Sequence, residues 1–180
     1  MKALRSIMAA LFTTAVAASD QPRSASKTNA EMMRELRLQW LTTTPTPAGG
    51  TGKVAAVLMD WPLDEQTATI LASAAGDASV YTTGTFGIMG GIGDENARKA
   101  ALSFIESANK HLGLATPTTD FSYPDRRHIR FFFVTDIDVR SVSFPTTEVE
   151  KRGTDAYDLY AHGQAVLTEM RLLTQRERGY

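Results

Sequence analysis

The chain contains no cysteine, which excludes disulfides, thiol catalysis and cysteine-ligated metal and leaves the redox compartment open. It has no surplus of either charge: Lys and Arg total 19, Asp and Glu total 20, and the net charge is -1. A general nucleic-acid binder needs a basic excess, so no nucleic-acid partner is expected. Histidine is scarce, and His111, His128 and His162 show no His-x-x-x-His spacing of a helical metal site. Ser73, Ser79 and Ser103 stand in no nucleophile-elbow context. The apolar run from Ile7 to Ala18, interrupted by Thr13 and Thr14, is too short to span a bilayer. These absences predict no catalytic residues, no cofactor, no bound metal and no membrane span.

What remains is enough for one core. A chain of 180 residues with 43% hydrophobic content predicts a single α+β domain over residues 28–175, with 176–180 as a tail. Residues 1–27 differ in composition. Lys2 and Arg5 precede the apolar run, Ala15-Val16-Ala17 looks like a small-residue cleavage site, and Asp20 is the first acidic residue. This is the pattern of a secretory signal peptide, which would make the mature protein extracytoplasmic. Beside it stand an amphipathic arm or transit peptide built on Leu4, Ile7, Met8, Leu11 and Val16, a disordered segment, or a true start at Met32 or Met33, with a cytoplasmic protein.

Thr28-Asn29-Ala30-Glu31 is a capping box, and Met33, Leu36 and Trp40 then recur at helical spacing, with Arg34, Glu35, Arg37 and Gln39 as the polar face. Val54 to Trp61 is apolar almost throughout and predicts a central strand, with Pro62-Leu63-Asp64-Glu65 as its turn. Thr67 to Ser73 alternates, Gly76-Asp77 marks a tight turn, and Ser79 to Thr83 returns as a third strand of an antiparallel meander. Asp94 is the expected N-cap of a helix with Ala97, Ala101, Phe104, Ala108 and Leu112 on one face, Gly113 as C-cap and a Glu106–Lys110 pair in solvent. Ile129 to Thr135 and Val139 to Phe144 predict a hairpin turned by Asp136-Ile137-Asp138. A last helix, Asp155 to Gln175, carries Leu159, Gly163, Val166, Met170 and Leu173 as its stripe. The glycine predicts a close approach of this helix to the sheet. The sum is one antiparallel sheet of about five strands (a three-strand meander, a helix, a hairpin) flanked by about three helices.

That order is similar in topology to the profilin-like and roadblock group, which implies an interaction module. It departs from the roadblock pattern, which has two strands before the middle helix and three after. Separately, Gly76-Asp77-Ala78-Ser79-Val80-Tyr81 with Gly87-Ile88-Met89-Gly90-Gly91 resembles a family of small bacterial proteins of unknown function.

The glycine-rich stretch Thr83 to Gly93 supplies the candidate sites. A strand, glycines and a helix N-terminus can hold an anion, which makes Thr83, Thr85, Gly90, Gly91 and Gly93 candidates for a small ligand or phosphate. The loop ends Gly93-Asp94-Glu95, without the Gly-Lys-Ser/Thr of a P-loop or the Gly-x-Gly-x-x-Gly fingerprint, and the two acids repel an anion. Val80 and Tyr81, on a strand lacking lysine and proline, together with Phe86, Ile88 and Met89 form a candidate interface. They predict a homodimer through the edge Ser79 to Thr83, or another protein partner. The expected function is therefore a non-catalytic interaction or scaffold module, with a ligand-binding loop as the alternative.

Overall fold

The computed structural model describes residues 27–42, 50–177 and 179; the signal-like segment, but for Lys27, lies outside them. Helix α1 (Asn29–Thr42) starts at the expected capping box: Glu31 N–H donates to Thr28 Oγ1 at 3.3 Å, and Thr28 N–H donates to Glu31 Oε2 at 2.8 Å. Then come β1 (Val54–Leu63), β2 (Gln66–Ser73), β3 (Ala78–Thr82) and the two-residue β4 (Gly87–Ile88). Helix α2 (Glu95–Lys110), β5 (Thr116–Pro117), β6 (His128–Thr135), β7 (Val139–Pro145) and α3 (Asp155–Glu177) complete the order.

The α+β class and the antiparallel sheet are as expected, but the sheet has seven strands, in the order β4-β3-β2-β1-β6-β7-β5. The two additions, β4 and β5, are each two residues long and flank the five-strand core, too short to show any periodicity. Among the described residues no helix is long and apolar enough to cross a membrane.

Strand alternation sorts the side chains into two cores. Val57, Met59, Ile70, Val80, Phe131 and Phe133 pack with Phe104 of α2 and Leu159 and Met170 of α3. Ala56, Leu58, Leu71, Tyr81, Phe132 and Val134 pack with Met33 and Leu41 of α1. A period of two on strands buried on both sides is what sends the consecutive residues Phe131, Phe132 and Phe133 to alternate layers.

Some local expectations change. Pro62 lies inside β1, paired with Thr67, and the turn is Asp64 and Glu65, with Asp64 at φ 48. Aspartate tolerates that left-handed region better than most residues. Proline is accepted there because β6 pairs β1 only as far as Asp60↔Arg130, so no ladder bond is lost on that side. The α2 cap is His111, ahead of Gly113, and Lys110 Nζ turns to Asp158 at 3.7 Å across the helices, not to Glu106.

Gly163 sits where a Cβ would come 2.6 Å from Met59 Cε, which is the close helix–sheet approach its place on the stripe implied.

Candidate functional site

The glycine loop leaves β3 at Thr82. Thr82 Oγ1 donates to Phe86 C=O at 2.7 Å and the backbone Thr82 N–H donates to the same oxygen at 3.1 Å, closing a tight loop that aims the chain back as β4. Thr83 Oγ1 accepts from Thr67 N–H at 3.0 Å, so this hydroxyl is part of the β2–β3 ladder end. Thr85 is exposed. Gly90 adopts φ 89, a left-handed turn that glycine enters without strain, and space around it and Gly93 is open. Gly91 is buried against Met170 and Ala78, where a Cβ would lie 2.7 Å from the methionine sulfur.

At the head of α2, Asp94 Oδ1 accepts from Asn96 N–H at 3.1 Å and Ala97 N–H at 2.9 Å. Its other oxygen meets Arg176 of α3 at 2.6 Å. The Ala97 amide comes first in holding the Asp94 carboxyl below the usual carboxylate range, and Arg176 adds to it. Two of the amides that would attract an anion are thus already committed, and a carboxylate stands among them.

Of the interface candidates, Val80 and Tyr81 have buried side chains, one in each core. Strand β3 is not the sheet edge: β4 covers it through Val80↔Ile88 and Tyr81↔Gly87, and the edge moves to β4. Ile88 is half-buried. Phe86 and Met89 are 48% and 54% exposed, and Ile92, at 51%, joins them. The loop therefore offers three large apolar side chains to solvent along a stretch, Thr82 to Gly93, with no charged residue.

A polar cluster lies in the seam between α2 and α3. Asp158 Oδ2 accepts from Ser107 Oγ at 2.9 Å and meets His111 Nε2 at 2.9 Å, while His162 Nδ1 sits 2.8 Å from the Asp158 carbonyl. Burial works to raise the Asp158 carboxyl, yet the His111 and Ser107 bonds outweigh it and hold the group below its ordinary range. A cleft of about 250 Å³ opens beside it. Serine and histidine converge on the carboxylate and not on each other, so the hydroxyl is not bonded to an imidazole as in a serine–histidine pair, and the cluster reads as a tie between helices. His111, the C-cap of α2, is 5% exposed and belongs to this tie. His128 pairs with Asp125 at 2.9 Å. Among the described residues no group of three or more histidine, aspartate and glutamate side chains is arranged so that it could hold a metal ion.

A second polar site was hidden in the sequence. Arg37, assigned to the polar face of α1, is 1% exposed, and Asp60 of β1 is 0% exposed. Arg37 Nε donates to both Asp60 oxygens at 3.1 Å, Nη2 pairs with Oδ2, and Nη1 donates to Phe121 C=O at 2.9 Å. Thr69 Oγ1 donates to Asp60 Oδ1 at 2.6 Å, and the guanidinium lies 4.2 Å from the centre of the Tyr123 ring. Burial pushes the Asp60 carboxyl up, against the opposing pull of Arg37 and Thr69. The only signal was an aspartate inside an apolar strand, which has to find a cation or donors.

Comparison of the chain with protein-family models, with curated proteins and with solved structures finds no match.

Proposed function

We propose that the protein is a non-catalytic interaction module whose contact surface is the glycine loop and the β4 edge. The observation that carries this reading is the half exposure of Phe86, Met89 and Ile92 on an uncharged loop. Scattered exposed apolar residues are ordinary, but three within seven residues, next to a strand with no outer neighbour among the described residues, offer a contact surface. The glycines serve that surface: Gly91 packs closely on Met170 of α3 and Gly90, between Met89 and Gly91, takes the left-handed turn that leads into that contact.

Photo-crosslinking residues placed at Phe86 and Met89 test the reading in cells, with Leu172, 40% exposed on α3, as the control. Polypeptide adducts at the two loop positions and none at Leu172 are expected. Equal yields at all three would remove the loop from the interaction. The second reading, a small-ligand or phosphate site at the same loop, draws on the open space around Gly90 and Gly93. Titration with inorganic phosphate that shifts the amide resonances of Gly90, Gly91 and Gly93 at millimolar concentration would favour it.

A further inference from the structure

We infer that the partner of the glycine loop is a second copy of this chain, joined β4 to β4 about a two-fold axis at Gly87. This rests on the loop being an interaction surface and adds the occupant and the register. The register follows from the ladder. Phe86 C=O points at β3, where it accepts from Thr82 N–H. In the antiparallel pairing, Ile88 opposite Val80 therefore faces inward too, and Gly87 turns its N–H and C=O away from the sheet. Among the described residues nothing lies beyond β4 in the sheet.

The two edges of the sheet differ in protection. The far edge, β5, carries Pro117, a residue that blocks strand addition. From Thr82 to Gly93 there is no lysine, no proline and no charge of either sign. An uncharged edge offers a charged partner nothing to pair with, and it meets its own copy without like-charge repulsion. It is complementary to itself, as a two-fold contact requires.

With the axis at Gly87, its N–H donates to the C=O of the partner's Gly87 and the reverse bond forms by symmetry. Phe86 then stands directly opposite the partner's Ile88, an aromatic–β-branched cross-strand pair. Gly87 itself has no side chain to obstruct the approach, and its α1-facing side is already filled by the Met33 sulfur. Pairing covers Phe86, while Met89 and Ile92 widen the contact.

The absence of cysteine makes introduced thiols unambiguous. Light scattering on the full chain at micromolar concentration is expected to give twice the 19.6 kDa of one chain. F86K should return the mass to one chain while the circular dichroism spectrum stays that of the folded chain, since Phe86 is half exposed, and the melting temperature should fall only by what dimerisation supplied. An oxidised equal mixture of F86C and I88C chains should form a disulfide-linked dimer. F86C alone should not, because in this register its copies lie farther apart than the roughly 7 Å Cα separation a disulfide bridges. A dimer that survives F86K, or that crosslinks as well with F86C alone, overturns the register. A single-chain mass at all concentrations overturns self-pairing; if Phe86 and Met89 then still crosslink another polypeptide, the interaction reading stands and only the occupant is wrong.

Discussion

The two faces of the sheet are closed by different physics. On one, α2 and α3 lie side by side and present Ala97, Ala101, Phe104, Ala108, Leu159, Gly163 and Met170 to an apolar layer. Small residues let the helices come close to the sheet, and their contact with it is apolar, while the Asp158 tie joins the two helices to each other. On the other, α1 is a single 14-residue helix that buries Met33 and Leu41 at its ends and an arginine between them. Arg37 reaches β1 through Asp60, whose carboxylate also accepts from Thr69 of β2, and the loop before β6 through the Phe121 carbonyl. A lone helix can slide or roll on an apolar sheet. A bidentate pair fixes both its register and its rotation, at the cost of desolvating two charges.

The sharpest way to break the comparison is to remove one charge from the α1 face. Arg37→Met leaves Asp60 buried without its cation and should destabilise by about 3–5 kcal/mol in urea unfolding, a range typical of halved buried pairs. Arg37→Met with Asp60→Leu should recover most of that loss, because both desolvated groups are gone. If the pair sets the seat of α1, the double variant regains stability but loses order in the helix. Amide exchange of α1 residues, compared with α2, reads that difference. A single variant that costs under about 1 kcal/mol would mean that water reaches Arg37, as at exposed pairs.

On the other face the equivalent injury is steric. Gly163→Leu should cost about 1–3 kcal/mol by overpacking against Met59 and Phe104. Gly163→Ala should cost far less. The atom its Cβ meets is the mobile end of Met59, and alanine returns about 0.5–1 kcal/mol of helix preference over glycine. Shortening Met59 to alanine beside Gly163→Leu should restore part of the loss, and strict additivity of the two changes would show that they do not touch.

How far each face could be read in advance follows from the range of its interactions. Period-two alternation in Thr67 to Ser73 and the Ala/Phe stripe of α2 are local, and both assigned their residues to the correct layers. The cap at Asp94 and the box at Thr28 and Glu31 are also local, and both form. Arg37 was misplaced because its helix offers equally good polar positions at Arg34 and Glu35. What buries it is a carboxylate on another element and a carbonyl at Phe121, far along the chain. Strand β4 escaped because its two residues pair only through geometry set by the Thr82–Phe86 loop. That omission moved the candidate edge: Phe86, Ile88 and Met89 lie at the rim of the sheet or in its loop, while Val80 and Tyr81 lie inside.

The smallest expected effect separates the faces by the sign of a pH dependence. Asp158, in the seam between α2 and α3, has its carboxyl lowered in the folded protein by His111 and Ser107, with His162 and Lys110 nearby. Its contribution is present above the unfolded pKa of 3.8 and is lost as pH falls through the folded value. Asp60, under α1, is shifted up by burial, so the folded state holds its proton more firmly than the unfolded chain does. Its contribution runs the other way, falling as pH rises from the unfolded value through the folded one. Unfolding free energy followed by urea from neutral pH into acid should therefore change slope in opposite directions in two variants. Asp158→Asn removes part of the acid loss. Asp60→Asn removes a contribution that favours acid, and so should steepen the acid loss that remains. Neutral-pH stability falls in both, less for Asp158, whose side chain is 34% exposed and screened by water. Slopes that change in the same direction would show that the Arg37 charge, not burial, dominates Asp60, and that the two ties respond to acid alike.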